Sequence, residues 1–504
     1  MPPPNLLFIL TDQHHWHLTG YAGNSIVQTP NLDRLAERSV NFTSATCPSP
    51  LCTPSRMCML TGKEAHRCSA WSNHWIIFPE HTTWPAHFSA QGYHSALLGK
   101  MHLGGKNQMA GFQHRPYGDL RHGLGHQPDP ISLFPGYHGM SGAGVTEIPE
   151  SLIQENVVTR ESLAFILESA SAEPDRPWFC CASYVRPHSP YTVPARYLRR
   201  YRGKVPLPEL REDPNLEPYA AHLRRDLTDE QWTRGLEAYF ACIDFVDDCI
   251  GELLNGLEAA GQLENTIVIY TSDHGEMMGN HGLEGKQLYF DDSVGVPLLI
   301  SGPGIEGGRS VTQPASLIDL YPTTCSLAGL PIPEDLDGVD LSPLLKNPSS
   351  SEKPREYTSS ACFRYGVKIN YNTTSDDTPS AAWRCVRDDR WKYVEVEKGA
   401  TLLFDTREDP LETRNLADAP EHQERCRIMR EWLFTSFSWE DVHRQLEADR
   451  KRIPEHSSGV TPTTPNQYRL PDGRIFDAEK SLYDARWLPI TEKFSGGIIP
   501  QEPG

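Results

Sequence analysis

No run of about 18 apolar residues occurs in this chain, so hydropathy offers no membrane-spanning helix. Cysteine is sparse as well. Twelve in 504 residues are too dilute for a disulfide scaffold, and the adjacent pair Cys180-Cys181 sits inside an apolar run, where it reads as core thiols. Positive charge is short: 47 Lys and Arg stand against 66 Asp and Glu, a net charge of -19. That balance argues against nucleic acid or an anionic membrane as partner, because both are held by a basic face. The start, Met1-Pro2-Pro3-Pro4, lacks a basic n-region and a small-residue cleavage site before the apolar run from Asn5 to Leu10. The expected compartment is therefore the cytoplasm; a leader removed earlier would make it the periplasm or the outside.

With 38% apolar residues, the chain can bury a large core, and its length fits one large domain and a smaller one. Leu6 to Leu10, Ser95 to Leu98, Trp178 to Ala182, Thr266 to Tyr270 and Pro297 to Ile300 are apolar without alternation, the pattern of strands buried on both faces. Helical stretches separate them. Thr29-Pro30 opens one from Asn31 to Arg38, and Thr228 with Gln231 forms a capping box for a long helix that Gly261 can end. The expected class is α/β: a large mixed, mostly parallel sheet sandwiched by helices, with a small C-terminal antiparallel sheet plus helix. The larger domain is assigned to residues 1–350, its end marked by a Pro, Ser and charge-rich stretch from Lys346 to Arg355. Residues 351–445 carry short strands at Ala382 to Val386, Trp391 to Val396 and Thr401 to Phe404, then a helix around Pro420 to Phe437. Residues 446–504 read as a tail that wraps the surface or a second copy of the chain, a route to a homo-oligomer.

The apolar runs end in chemistry. They lead into Thr11-Asp12-Gln13, Gly99-Lys100-Met101-His102, Arg186-Pro187-His188 and Ser272-Asp273-His274. Ligands in open α/β sheets sit at the carboxyl ends of strands. Asp12, Gln13, Asp273 and His274 form a candidate metal site whose oxygen donors favour a hard cation, Ca²⁺ first, with His274 keeping Mn²⁺ open; zinc would want more His or Cys. His14, His15 and His17 read as a polar loop. Lys100 and His102 alternate along what should be an extended segment, which would put both on one side. Asn73 and His74 are candidates for substrate contact, and the stretch from about Gly104 to Pro149, rich in His, Gly and Pro, is a candidate lid.

Cys52-Thr53-Pro54-Ser55-Arg56, with Leu60-Thr61-Gly62 after it, resembles the signature at which type I sulfatases convert a cysteine to formylglycine. From Asn5 to about Ala417 the chain is similar to that family, of the alkaline-phosphatase-like superfamily, and Gly99 to Leu103, Ser141 to Ile148 and Arg176 to Tyr191 resemble its choline-sulfatase branch. Gln13 stands where many members have a second Asp, and the tail of the choline branch is not recognisable after about Arg450.

The resemblance implies a sulfuric ester hydrolase acting on a sugar sulfate or small organic sulfate, matured by a formylglycine-generating enzyme. It implies Asp12, Gln13, Asp273 and His274 as metal ligands, with formylglycine from Cys52 completing the shell. Arg56 and Lys100 would hold the aldehyde hydrate and sulfate, His102 would act as base for sulfate elimination, and His188 with Lys286 would protonate the leaving alcohol. The Cys52 loop is expected to be exposed at the sheet edge, with little core burial. Two alternatives stand beside this reading: a phosphonate monoester or phosphodiester hydrolase on the same scaffold, and a non-catalytic binding protein if Cys52 stays unmodified.

Overall fold

The computed structural model describes residues 3–73, 75–104, 107, 109–116, 119, 139–146, 148–221, 223–347, 350, 352–363, 382–457, 467–469 and 475–477. Seven strands make the main sheet: β1 (Asn5–Asp12), β2 (Val40–Phe42), β3 (His94–Gly99), β4 (Trp178–Pro187), β5 (Thr266–Ser272), β6 (Leu298–Ser301) and β7 (Arg309–Val311). Their order is β7-β2-β6-β5-β1-β4-β3. Only β6 pairs antiparallel with both of its neighbours, so the sheet is mixed but mostly parallel. The four adjacent strands β5, β1, β4 and β3 all run the same way.

The unbroken apolar runs follow from burial on both faces. In β1, Leu6, Phe8 and Leu10 face one core while Leu7 and Ile9 face the other. The second core is closed by α3 (Gln154–Ala172) and the long α4 (Asp229–Ala259). Helix α4 starts at the expected capping box, in which Thr228 accepts from the Gln231 backbone and Gln231 reaches back. Its buried stripe includes Leu236, Phe240, Ile243, Ile250 and Leu257, and each such side chain stabilises the pairing by roughly 1.5–3 kcal/mol. Helix α1 (Pro30–Glu37) has the expected first-turn proline, but Thr29 makes no side-chain cap. Its hydroxyl instead donates to Asp33 and accepts from the Gly20 backbone.

The first core is covered by α2 (Cys52–Thr61) and by a four-stranded antiparallel sheet, β8 (Thr358–Cys362), β9 (Trp383–Arg387), β10 (Trp391–Val396) and β11 (Thr401–Asp405). Strand β8 was not expected. Two helices follow, α5 (Gln423–Leu433) and α6 (Trp439–Ser457). Helix α6 crosses residue 445, so the boundary drawn there falls inside a helix rather than at the start of a tail. It packs Val442, Leu446 and Ile453 inward, and the buried Asp449 accepts from the Trp71 indole at 2.8 Å. Residues 458–466, 470–474 and 478–504 of the expected tail lie outside the described residues, as do 120–138 of the candidate lid.

Beneath the small sheet lies a buried group of four charges. Arg387 and Lys392 both pair with Asp291, Lys392 also pairs with Glu412, and the Lys392 ammonium donates to the Tyr289 carbonyl at 2.8 Å. Among the described residues, no helix is long and apolar enough to cross a membrane.

Candidate active site

The parallel run β5-β1-β4-β3 delivers Asp273, Asp12, His188 and Lys100 at or just beyond its carboxyl ends. Because β6 runs the other way, the chain that enters it brings Lys286 to the same edge. Gly99 ends β3 at φ +95°, and a Cβ there would lie 2.1 Å from the Ser183 carbonyl, so only glycine lets the chain turn Lys100 inward.

Cys52 is the first residue of α2, with Leu51 extended before it and Gly62 ending the helix at φ +66°. All ten residues of α2 are buried, which corrects the expectation of an exposed loop: Cys52 is 1% exposed. The helix is held from its open end. The Thr53 backbone N–H, left without a helical partner, donates to Asn73 Oδ1 at 3.0 Å, and the Thr53 hydroxyl donates to the His102 carbonyl. Asn73 thus spends its side-chain oxygen on the helix, and His74 lies outside the described residues.

Around the Cys52 Sγ the other groups converge. His274 Nε2 is 3.3 Å away, Asp12 Oδ1 and Lys100 Nζ are each 3.8 Å away, and the His102 and His188 side chains lie close by. Burial alone would push the thiol up; Lys100, Lys286, His274 and His102 bring it well below its ordinary value. His102 sits on a left-handed backbone at φ +59°, not on an extended segment. The buried Asp119 supports that turn, accepting the Met101 N–H at 2.9 Å and the His102 N–H at 3.2 Å.

Arg56 lies one turn along α2 and is fully buried. Its Nε donates to Asp273 at 2.8 Å, its Nη2 to Asp12 at 2.9 Å, and its Nη1 to the Lys100 carbonyl at 2.6 Å and the Ser183 hydroxyl at 2.9 Å. The guanidinium therefore clamps the two carboxylates. Lys100 Nζ adds a 2.6 Å ion pair to Asp12. Burial favours a neutral Asp12, yet Lys100, His188 and Arg56 hold its carboxyl well below the usual range. Asp273 goes the other way, pushed up to about 6 by burial and by the negative Asp12 beside it.

Ligand atoms of Asp12, Cys52, Asp273 and His274 all lie within 4.8 Å of one another. The Gln13 amide oxygen accepts from Lys286, and the Gln13 backbone N–H donates to Asp273 at 3.1 Å. This donor set fits a hard divalent cation: two carboxylates crowd each other without one, and an amide oxygen and one imidazole stand beside them. His14 and His15 lie in the loop after β1, as expected, but are buried. His14 contacts the Tyr270 hydroxyl at 2.5 Å and His15 pairs with Asp292 at 2.9 Å.

Sequence reasoning missed the supporting groups Glu276, Tyr191, Ser183 and Asp119. None stands at a strand end in an unusual cluster; only the spacing of Glu276, two residues after His274, was visible.

The sulfatase family model matches residues 4–330, and one for the C-terminal part of N-sulphoglucosamine sulphohydrolase matches residues 279–436. A choline-sulfatase of Rhizobium meliloti is 32% identical over 445 residues, covering 83% of this chain and 83% of that protein. An ulvan-active sulfatase of Formosa agariphila is 32% identical over 436 residues, covering 83% of this chain and 78% of its own length. Among solved structures, a phosphonate monoester hydrolase of Agrobacterium radiobacter aligns with a TM-score of 0.72 at 23% identity, over 94% of this chain and 99% of that one. A protein in complex with its substrate D-glucosamine-2-N,6-O-disulfate aligns with a TM-score of 0.70 at 22% identity, over 90% and 98%. At those identities the two structures establish the shared fold alone.

Proposed function

The chain belongs to the sulfatase family and is a sulfuric ester hydrolase, and from that premise we propose that it cleaves a sulfate monoester of a sugar or small alcohol at residue 52, matured to formylglycine by a dedicated modifying enzyme. The observation that carries the reading is the convergence of His274, Lys100 and Asp12 on the Cys52 sulfur at the buried start of α2.

The Cys52 sulfur marks where the hydroxyls of a hydrated formylglycine would stand. Such a hydrate supplies one hydroxyl to attack sulfur and a second through which sulfate later leaves. Asp12, Gln13, Asp273 and His274, with residue 52, would hold a divalent cation, Ca²⁺ ahead of Mn²⁺, which would supply fixed positive charge for the sulfate oxygens.

The protein's own groups then divide the work. Arg56 keeps Asp12 and Asp273 ionised and in place, so it acts through them. Lys100 and Lys286 add positive charge where the sulfate oxygens must sit, and the local surplus that lowers the Cys52 thiol is what an anionic ester would meet. His102 would take the proton from residue 52. His188 is partly exposed, with Nε2 3.8 Å from Asp12. Burial and the nearby Lys286 and Lys100 lower its affinity for a proton. A bound sulfate would offset those cations, favour the protonated ring and so ready it to donate to the leaving alkoxide.

Intact-mass analysis of the Cys52 peptide, paired with sulfate release before and after chelation, tests this reading. An aldehyde or its hydrate at residue 52, with activity restored by Ca²⁺ or Mn²⁺ better than by Zn²⁺, is expected. An unmodified thiol from a host that carries the modifying enzyme, or full activity in metal-stripped protein, would overturn it.

A further inference from the structure

Glu276 is fully buried, and no part of the mechanism above uses it. Its carboxylate gathers four donors from three separate segments. Oε2 accepts from the Gln13 side-chain amide and from the Tyr191 hydroxyl at 3.1 Å; Oε1 accepts from the Gly285 backbone N–H at 2.5 Å and more weakly from the Met278 N–H at 3.4 Å. The Tyr191 hydroxyl in turn accepts from the Gln13 amide at 3.2 Å.

These contacts decide an orientation. A glutamine amide can present either end, and only its NH₂ can donate to a carboxylate. With Glu276 and Tyr191 on one side, the Gln13 oxygen must face the other way, toward Lys286 and the cluster of Asp12, Asp273 and His274. The backbone strain agrees, since Gln13 itself sits at φ +68° and is held there by the bond from its N–H to Asp273 and by the Tyr239 hydroxyl on its carbonyl. The other carboxylate oxygen pins Gly285, one residue before Lys286, and Tyr191 lies three residues after His188.

We propose that Glu276 is a positioning residue, which fixes the Gln13 amide as an oxygen donor to the cation and anchors the arm that carries Lys286. The proposal rests on the metal site read above. Outer groups that orient a ligand typically contribute about tenfold to a hundredfold in metal affinity.

Calorimetric titration of the metal-free protein with Ca²⁺ tests it. Glu276→Gln keeps the shape but has one accepting oxygen instead of two, so Gln13 or Gly285 must lose its partner. Ca²⁺ affinity is expected to fall about tenfold or more. In a Gln13→Met background, which has no amide to orient, adding Glu276→Gln should change affinity by less than about twofold, because interacting residues lose their coupling when one is removed. Wild-type affinity in a folded Glu276→Gln protein, or the full loss recurring in the Gln13→Met background, would overturn the proposal alone. Should Glu276→Gln fail to fold, Gln13→Met carries the test, and unchanged Ca²⁺ affinity there would overturn it. Absence of Ca²⁺ and Mn²⁺ binding by the wild type would instead remove the metal reading, and this proposal with it.

Discussion

Two of the buried charge groups among the described residues close differently. Beneath the small sheet, Asp291 and Glu412 face Arg387 and Lys392, two charges of each sign, and every one finds its partner in the protein. At the edge of the large sheet, Asp12 and Asp273 face Arg56 and Lys100, with Lys286 and three imidazoles close by, and the ligand atoms point at a common space beside residue 52. Burial costs both groups the hydration of their charges. The first recovers that cost internally and fastens β9, β10 and the 412 loop to the segment ahead of β6. The second sets three cations, Arg56, Lys100 and Lys286, against the two carboxylates at its centre, which suits an arriving anionic ester.

Experiments can break this comparison from either side. The largest effect is expected from Cys52→Ala, which removes the attacking group: sulfate ester turnover should fall on the order of 10⁴-fold while thermal unfolding shifts little. Activity above about a hundredth of wild type would sink the formylglycine mechanism.

His188→Ala should come next, and selectively. With an alkyl or sugar sulfate, whose alkoxide needs a proton to leave, the loss should be roughly a hundredfold to ten-thousandfold; with an activated aryl sulfate it should be much smaller. Equal losses on both substrates in parallel steady-state kinetics would show that His188 does not act as the acid.

The balanced group predicts the opposite signature. Lys392→Met leaves Asp291 with Arg387 but strips Glu412 of its cation, and should lower unfolding free energy by about 3–5 kcal/mol in urea titrations. Turnover per folded molecule should stay near wild type. If Lys392→Met were mild and Lys100→Met as destabilising, the two groups would not differ as argued.

The smallest effect sharpens one assignment. Asn73→Ala takes the acceptor from the Thr53 N–H and should destabilise by about 1 kcal/mol, with KM unchanged. A raised KM without loss of stability would return Asn73 to the substrate.

Much of this edge was legible in the sequence because unbroken apolar runs mark strands, and parallel strands must end on the same side. Asp12, Lys100, His188 and Asp273 could be placed that way without coordinates. What was not legible depends on distant partners. Strand β8, Thr358–Cys362, is small and polar, and its pairing comes only from β9, across an intervening stretch. Helix α6 is so polar that its three inward apolar residues hardly register. Glu276 and Tyr191 are ordinary until Gln13 is seen between them, and the burial of α2 became visible only once residues 84–90 and 317–328 were seen packed against it.

That covered helix sets an order of events in the life of the molecule. Cys52, Pro54 and Arg56, the residues a modifying enzyme would read, are 1%, buried and 0% exposed in the folded chain, wound into a helix whose far side meets the core. No second enzyme can thread its cleft around them there. If Cys52 is converted as proposed, the conversion has to finish on a nascent or unfolded chain, and a molecule that folds first is locked, intact and inert, out of reach of its own activation.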